Sequence, residues 1–250
     1  MIRVIKKVEG IIFSTVDYKE DSKIINILTK DEGIIGVFAK GSKKIKSPIS
    51  ASSNILTYGL FHLNQTSKKM PNLIEVDIYN SFKNIKKDLG KTTYATYLLE
   101  LSTQVFKHDH NNDIYKLLIS SLTKINDDFD CKAISLILEL KLLSYLGIKP
   151  VIDKCVNCNN KNDIVTISSY RGGYLCKNCT KEEHIFNIKT LKLIRMFYYI
   201  DIDKISNIDI SKNIKKELEL FINDYYDRYS GLYLKSKDFL NKYSPIFNKD

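Results

Sequence analysis

The first eighty residues read as strands. VIKKVEGIIFSTV, KIINILTK, GIIGVFAKG, NILTYGLFHLNQ and NLIEVDIYN are rich in β-branched and aromatic residues, and polar or glycine-containing turns separate them. Five short strands with an early DYKEDS turn predict a small closed barrel of the oligonucleotide-binding (OB) type, and the same runs also fit an SH3-like barrel. After Ser81 the period changes. In KTTYATYLLELSTQVFK, residues Tyr94, Tyr97, Leu98, Leu101 and Val105 recur at helical spacing and form one stripe. DIYKLLISSLTKI predicts a second helix. KAISLILELKLLSYLG is apolar almost all round, the mark of a buried central helix, with Gly147 as its cap and Pro150 as its stop. Helices resume at IKTLKLIRMFYYI and at a last long one striped by Ile214, Leu218, Phe221, Ile222, Tyr225 and Tyr229. The fold class expected is α+β, with a barrel over 1–80 and a helical domain over 81–250.

The helical pattern is broken at 155–179, CVNCNNKNDIVTISSYRGGYLCKNC, which holds four of the five cysteines. Cys155/Cys158 and Cys176/Cys179 are two Cys-x-x-Cys pairs separated by seventeen residues. IVTIS and GYLC are strand-like, and the glycines of SYRGG suit a hairpin turn that brings the second pair back to the first. The spacing is that of a Cys₄ zinc ribbon inserted at 150–185. Four thiolates close a tetrahedral shell, so one structural Zn²⁺ is expected, with no open position for a substrate. Disulfides are the alternative, but MIRVIKKVEG does not resemble a secretory signal, and a cytoplasmic chain keeps its thiols reduced. Cys131 opens the central helix and reads as a small packing residue.

Charge adds a second candidate. Lys and Arg number 39 against 29 Asp and Glu, leaving +10 over 250 residues, which favours a polyanionic partner. The distribution matters more than the total. Between Gly33 and Ile74 there is no acid, yet there are six lysines: Lys40, Lys43, Lys44, Lys46, Lys68 and Lys69. Four crowd into AKGSKKIKSP, a loop marked by Gly41 and closed by Pro48. Phe38, Tyr58 and Phe61 nearby could stack on bases or belong to the core. Arg3, Lys6 and Lys7 are further cations on the same domain.

Catalytic patterns are scarce. There is no GxxxxGK[ST] phosphate loop, no GxSxG elbow and no HExxH helix. His108 and His110 read as an inter-helix loop, and Asp127, Asp128 and Asp130 as a helix-capping loop. No apolar stretch reaches the roughly 18–20 residues of a membrane span. A binding protein is expected rather than an enzyme. Two rivals are a zinc-ribbon transcription regulator and a zinc-dependent nucleic-acid-processing enzyme.

DYKEDSKIINILTKDEGIIGVFAKGSKKIKS resembles the amino-terminal signature of the RecO family of DNA repair proteins. The likeness continues through YATYLLEL, LLSYLGIKPVIDKCVNC, RGGYLCKNC and LKSKDFL, in order and over nearly the whole chain. The family often has arginines in the basic loop where this chain has only lysines, which implies point-charge rather than bidentate phosphate contacts. The resemblance implies an OB barrel, a helical domain with a zinc ribbon, and a cytoplasmic recombination mediator. Such a mediator binds single- and double-stranded DNA, anneals complementary strands and partners RecR. It also engages the acidic tail of single-stranded DNA-binding protein, and so helps RecA replace that protein. A groove for the tail is expected within 81–149, from the stripes at 91–107 and 132–146 with Lys91, Lys107, Lys132 and Lys141 at their edges.

Overall fold

In the computed structural model, which describes residues 4–65 and 70–247, the amino-terminal runs become five strands. These are β1 (Val4–Tyr18), β2 (Ser22–Thr29), β3 (Ile34–Ala39), β4 (Tyr58–Gln65) and β5 (Asn72–Asn80). They close into a barrel in the order β1-β2-β3-β5-β4, which is compatible with the OB type. Each pairing is antiparallel except β3 with β5, which is parallel and has the single register pair Phe38↔Asn72. Alternation along the strands sends Val8, Ile12, Ile25, Ile27, Val37, Phe61 and Leu63 into one core.

Closure depends on β1. Its residues 4–11 pair with β4 and its residues 10–18 with β2, so the strand changes partner at Gly10 and Ile11. Gly10 lies opposite Gly59 of β4. A Cβ on Gly10 would sit 2.5 Å from Ile27 Cγ2 and 2.8 Å from the Leu28 carbonyl oxygen, and one on Gly59 would sit 2.3 Å from the Asp77 carbonyl oxygen. The missing side chain of Gly10 thus lets β2 close on β1, and that of Gly59 lets β5 close on β4.

Among the described residues, seven α-helices follow. They are α1 (Lys83–Lys87), α2 (Leu89–His108), α3 (Asn112–Asn126), α4 (Cys131–Leu142), α5 (Ile188–Tyr199), α6 (Lys212–Tyr229) and α7 (Lys235–Phe247). The chain divides into two compact units. One holds the described residues up to Asp88 together with His110–Lys116, and the other holds Leu89–Asp109 and the described residues from Leu117 onward. The first turn of α3 thus belongs with the barrel, where the Tyr115 hydroxyl donates to Glu9 at 3.3 Å. In the second unit α4 is the central element, packed on α2, α5 and α6. Nine of its residues are buried, as its all-round apolar pattern predicts. Asp130 caps it by accepting the Ala133 N–H at 2.9 Å, and Gly147 (φ +72°) ends the turns that follow it.

Periodicity does not predict helix α7. Its start is capped from afar: the Glu100 carboxylate on α2 accepts the N–H groups of Lys235 at 3.3 Å and Ser236 at 2.8 Å, and the Ser236 hydroxyl as well. Lys237 then reaches the buried Glu139 of α4 at 3.1 Å and lies 4.6 Å from the Tyr97 ring centre. Glu139 is only 2% exposed, and its Oε2 has no protein hydrogen-bond partner. Burial, reinforced by the Glu139 charge, pushes the Tyr97 phenol well above its ordinary range. Removing the ammonium strands a carboxylate in an apolar core. Lys237→Ala is therefore expected to destabilise the protein by about 3–5 kcal/mol in urea unfolding, and adding Glu139→Gln should recover part of the loss. A loss below about 1 kcal/mol would show that the pair behaves like a solvated surface bridge.

Candidate metal centre and nucleic-acid interface

The cysteine segment folds as a two-stranded hairpin, β6 (Ile164–Ser168) with β7 (Gly173–Cys176). Of the two turn glycines only Gly172 takes a positive φ, at +81°. Gly173 serves a different purpose. A Cβ there would lie 2.3 Å from the Val151 carbonyl oxygen, and Val151 uses that closeness to lay its strand against the hairpin. Val151 N–H donates to Gly172 at 2.9 Å, and Tyr174 N–H donates back to Val151 at 2.8 Å. This third segment delivers Cys155 to the second cysteine pair.

The Sγ atoms of Cys155, Cys158, Cys176 and Cys179 all lie within 4.8 Å of one another, and Cys158 and Cys176 are 3.6 Å apart. Four sulfurs around a tetrahedral ion at 2.3 Å stand about 3.8 Å apart, so the cluster fits a closed shell. A disulfide needs about 2.05 Å, and all five cysteines are free thiols. Thiol chemistry agrees. Burial acts to raise Cys155, but it accepts N–H bonds from Cys158, Cys176 and Asn157, which bring it down to about 6. Cys179 is pushed up to about 12 by its bond with Cys158 and by burial. Crowded thiols cannot all ionise beside one another unless a cation joins them. Beneath the cluster the local core is Cys155, Leu175 and Cys176, with Val156, Ile164 and Cys179 against it. Half of those residues are cysteines. His184 stands outside the cluster and packs edge-on against Phe186 at 4.7 Å.

The lysine loop, residues 40–57, joins β3 to β4 as a chain of turns. Lys40, Lys43, Lys44 and Lys46 are all exposed. The acid-free stretch is not acid-free in space. Lys43 pairs with Asp17 at the end of β1 at 2.7 Å, and Lys44 with Asp21 of the β1–β2 turn at 3.0 Å. Hydrogen bonds from these lysines hold both carboxyls below their ordinary range. Lys43 N–H also donates to the Asp21 carbonyl at 2.9 Å, which pins the loop against that turn. Arg3, Lys68 and Lys69 lie outside the described residues.

The three aromatics separate. Phe61 is 0% exposed and belongs to the core, and Tyr58 bonds Glu9 and stacks on Phe82. Phe38 points outward between the buried Val37 and Ala39. The Tyr18 ring, 42% exposed, meets it edge-on at 5.4 Å, a partner not singled out from the sequence, with Lys19 5.6 Å from the Tyr18 ring centre. Cross-strand register sets Val16, Ile24 and Phe38 in one outward row over β1, β2 and β3. Period-two alternation marks that face, but the Tyr18–Phe38 contact depends on register.

Among the described residues no helix is long and apolar enough to cross a membrane. Family models for the Recombination protein O N terminal and C terminal match residues 1–82 and 86–238. The DNA repair protein RecO of Bacillus pumilus is 38% identical over 240 residues, covering 94% of this chain and 93% of that protein. The DNA repair protein RecO of Halalkalibacterium halodurans is 34% identical, with 94% of each chain covered. That of Bacillus cereus is 33% identical over 241 residues, with 95% of this chain and 97% of that protein covered. With both halves matched and relatives aligned along nearly their whole length, the chain belongs to the RecO family.

Proposed function

We propose that this protein is a recombination mediator in DNA repair. It binds single- and double-stranded DNA, anneals complementary strands and, with RecR, helps RecA replace single-stranded DNA-binding protein. The observation that carries the reading is the continuity of one barrel end. The outward Tyr18–Phe38 pair on the β1–β2–β3 face runs into the β1–β2 turn, and the lysine loop is pinned to that turn. OB barrels bind single strands on the strand 2–3 face and the adjoining loops, by stacking bases and tracking phosphates. Exposed ion pairs such as Lys43–Asp17 are weak because solvent screens them, so a phosphate can displace the acid. Lys40 and Lys46 are further exposed cations of the loop, and Arg3, Lys68 and Lys69 are proposed as additional phosphate contacts. Neutralising phosphates on two strands lowers the repulsion that opposes their pairing.

The metal is assigned as one Zn²⁺ held by Cys155, Cys158, Cys176 and Cys179. The all-thiolate donor set suits it, and the closed shell makes it structural. Bound, it would supply the charge that lets all four thiols ionise together.

The tail of single-stranded DNA-binding protein needs an apolar groove with basic edges. The stripes of α2 and α4, where that groove is expected, are buried in the core. A groove of about 170 Å³ beside α5 comes nearer to that character, with Ile164 and Ile188 along it and Lys161, Lys192 and Arg195 at its rim, where Asp153 also lies and pairs with Arg195 at 3.1 Å. We assign the tail there.

Three outcomes follow. Purified protein should anneal complementary strands without ATP, and Lys43→Glu/Lys44→Glu should slow annealing and weaken binding to all sequences alike. The slope of log K against log salt should flatten by about 0.7 for each phosphate that is no longer neutralised. Unchanged affinity and slope would return the loop to a solvated role. Metal analysis should find one zinc per chain, and Cys176→Ser should lose it and lower the thermal midpoint while DNA binding persists. A reduced, zinc-free and fully stable protein would refute the assignment. A labelled acidic peptide with an apolar end should bind less tightly to Lys192→Glu/Arg195→Glu, and equal binding would move the site elsewhere.

A further inference from the structure

One side chain in the lysine loop has no part in tracking phosphates. Ile45 is 100% exposed, the highest value among the exposed large apolar residues. Lys43 and Lys44 precede it and Lys46 follows it. Its exposure does not come from a loose backbone. Lys43 N–H bonds Asp21 at 2.9 Å, Lys44 N–H bonds Gly41 at 3.1 Å and Ser47 N–H bonds Lys44 at 3.0 Å. The same loop buries Ile49, which is 6% exposed and part of the barrel core. The loop therefore sends one isoleucine inward and presents the other.

Single exposed apolar residues are common and ordinarily carry no meaning. The setting distinguishes this one. An exposed aliphatic side chain flanked along the chain by exposed lysines is complementary to a polymer with a charged exterior and apolar faces inside it. A nucleic-acid strand has that construction: phosphates meet the lysines, and base faces or base steps accept the side chain. An anionic lipid surface has it too, but stable anchoring there takes more than one weak apolar contact. The aromatic pair Tyr18 and Phe38 borders the turn that holds the loop, and aromatic rings suit bases.

We propose that Ile45 is a base-contacting wedge, inserted against or between bases while the flanking lysines hold the phosphates. The proposal rests on the DNA-binding reading above and adds to it a contact to bases that salt does not screen. It makes the loop a device for loosening stacking as well as for neutralising charge.

The chain contains no tryptophan, so Ile45→Trp installs a single reporter on a fully exposed position that no core packing depends on. Saturating single-stranded oligonucleotide should quench its emission, whereas an abasic oligonucleotide of equal length should bind and leave the emission unchanged. In parallel, Ile45→Ala should weaken binding to the base-bearing strand about fivefold with an unaltered salt slope. It should leave affinity for the abasic strand as it was. Binding with unchanged emission on the base-bearing strand would overturn the wedge while keeping the lysine loop as a phosphate site. Emission that responds to vesicles of anionic phospholipid but not to DNA would make the tip a lipid contact and also overturn it. Failure of the unmodified protein to bind DNA would overturn the functional reading and the wedge with it.

Discussion

The barrel closes because β1 can serve two neighbours, and β2 can approach it at the changeover because Gly10 has no Cβ there. Gly59 does the same for the approach of β5 to β4. β1 passes from β4 to β2 within two residues, and the ring completes around Phe61, Ile25 and Val37. A side chain at either position would overlap backbone or side-chain atoms by well over half an ångström, a clash that a closed ring has little freedom to relieve. Closure removes the free strand edges, so no edge of the ring is left for sheet extension.

The two candidate sites use opposite physics. The cysteine cluster has little apolar material beneath it, and cysteines make up half of its local core. The lysine loop needs no core of its own. It borrows the β1–β2 turn through Lys43, Lys44 and Asp21, and its charges are held in weak pairs that a stronger anion can replace.

Local chemistry was legible in the sequence. The strand runs, the all-round apolar α4, the Asp130 cap and the paired Cys-x-x-Cys turns all depend on neighbours within about twenty positions, and each appears as read. Long-range contacts were not legible. Asp17 and Asp21 lie outside the acid-free stretch yet sit on its lysines, because register folds β1 and its turn back onto the loop. Helix α7 has a polar sequence with an internal proline, and its cap comes from Glu100, 136 positions away from Ser236. The stripes of α2 and α4 looked available for a partner. Periodicity shows that a face is apolar, not whether the same chain already covers it. Phe61 and Phe38 illustrate the same limit, since their different fates follow from which side of a pleat each occupies.

The parallel seam between β3 and β5 has a consequence for how the ring breathes. Its pairing is reduced to one register position at Phe38, supported by the Phe38 N–H bond to Pro71 at 2.8 Å, whereas every other seam has at least six paired positions. Amide protons exchange with solvent through the least expensive opening available to them, and in a ring that opening is the joint with the fewest bonds. Deuterium should therefore enter β3 and β5 along this seam before it reaches the β1–β4 and β1–β2 ladders. Phe38 lies on that joint and on the outward face, so a ligand resting on its ring would act as a clasp across the weakest closure of the barrel.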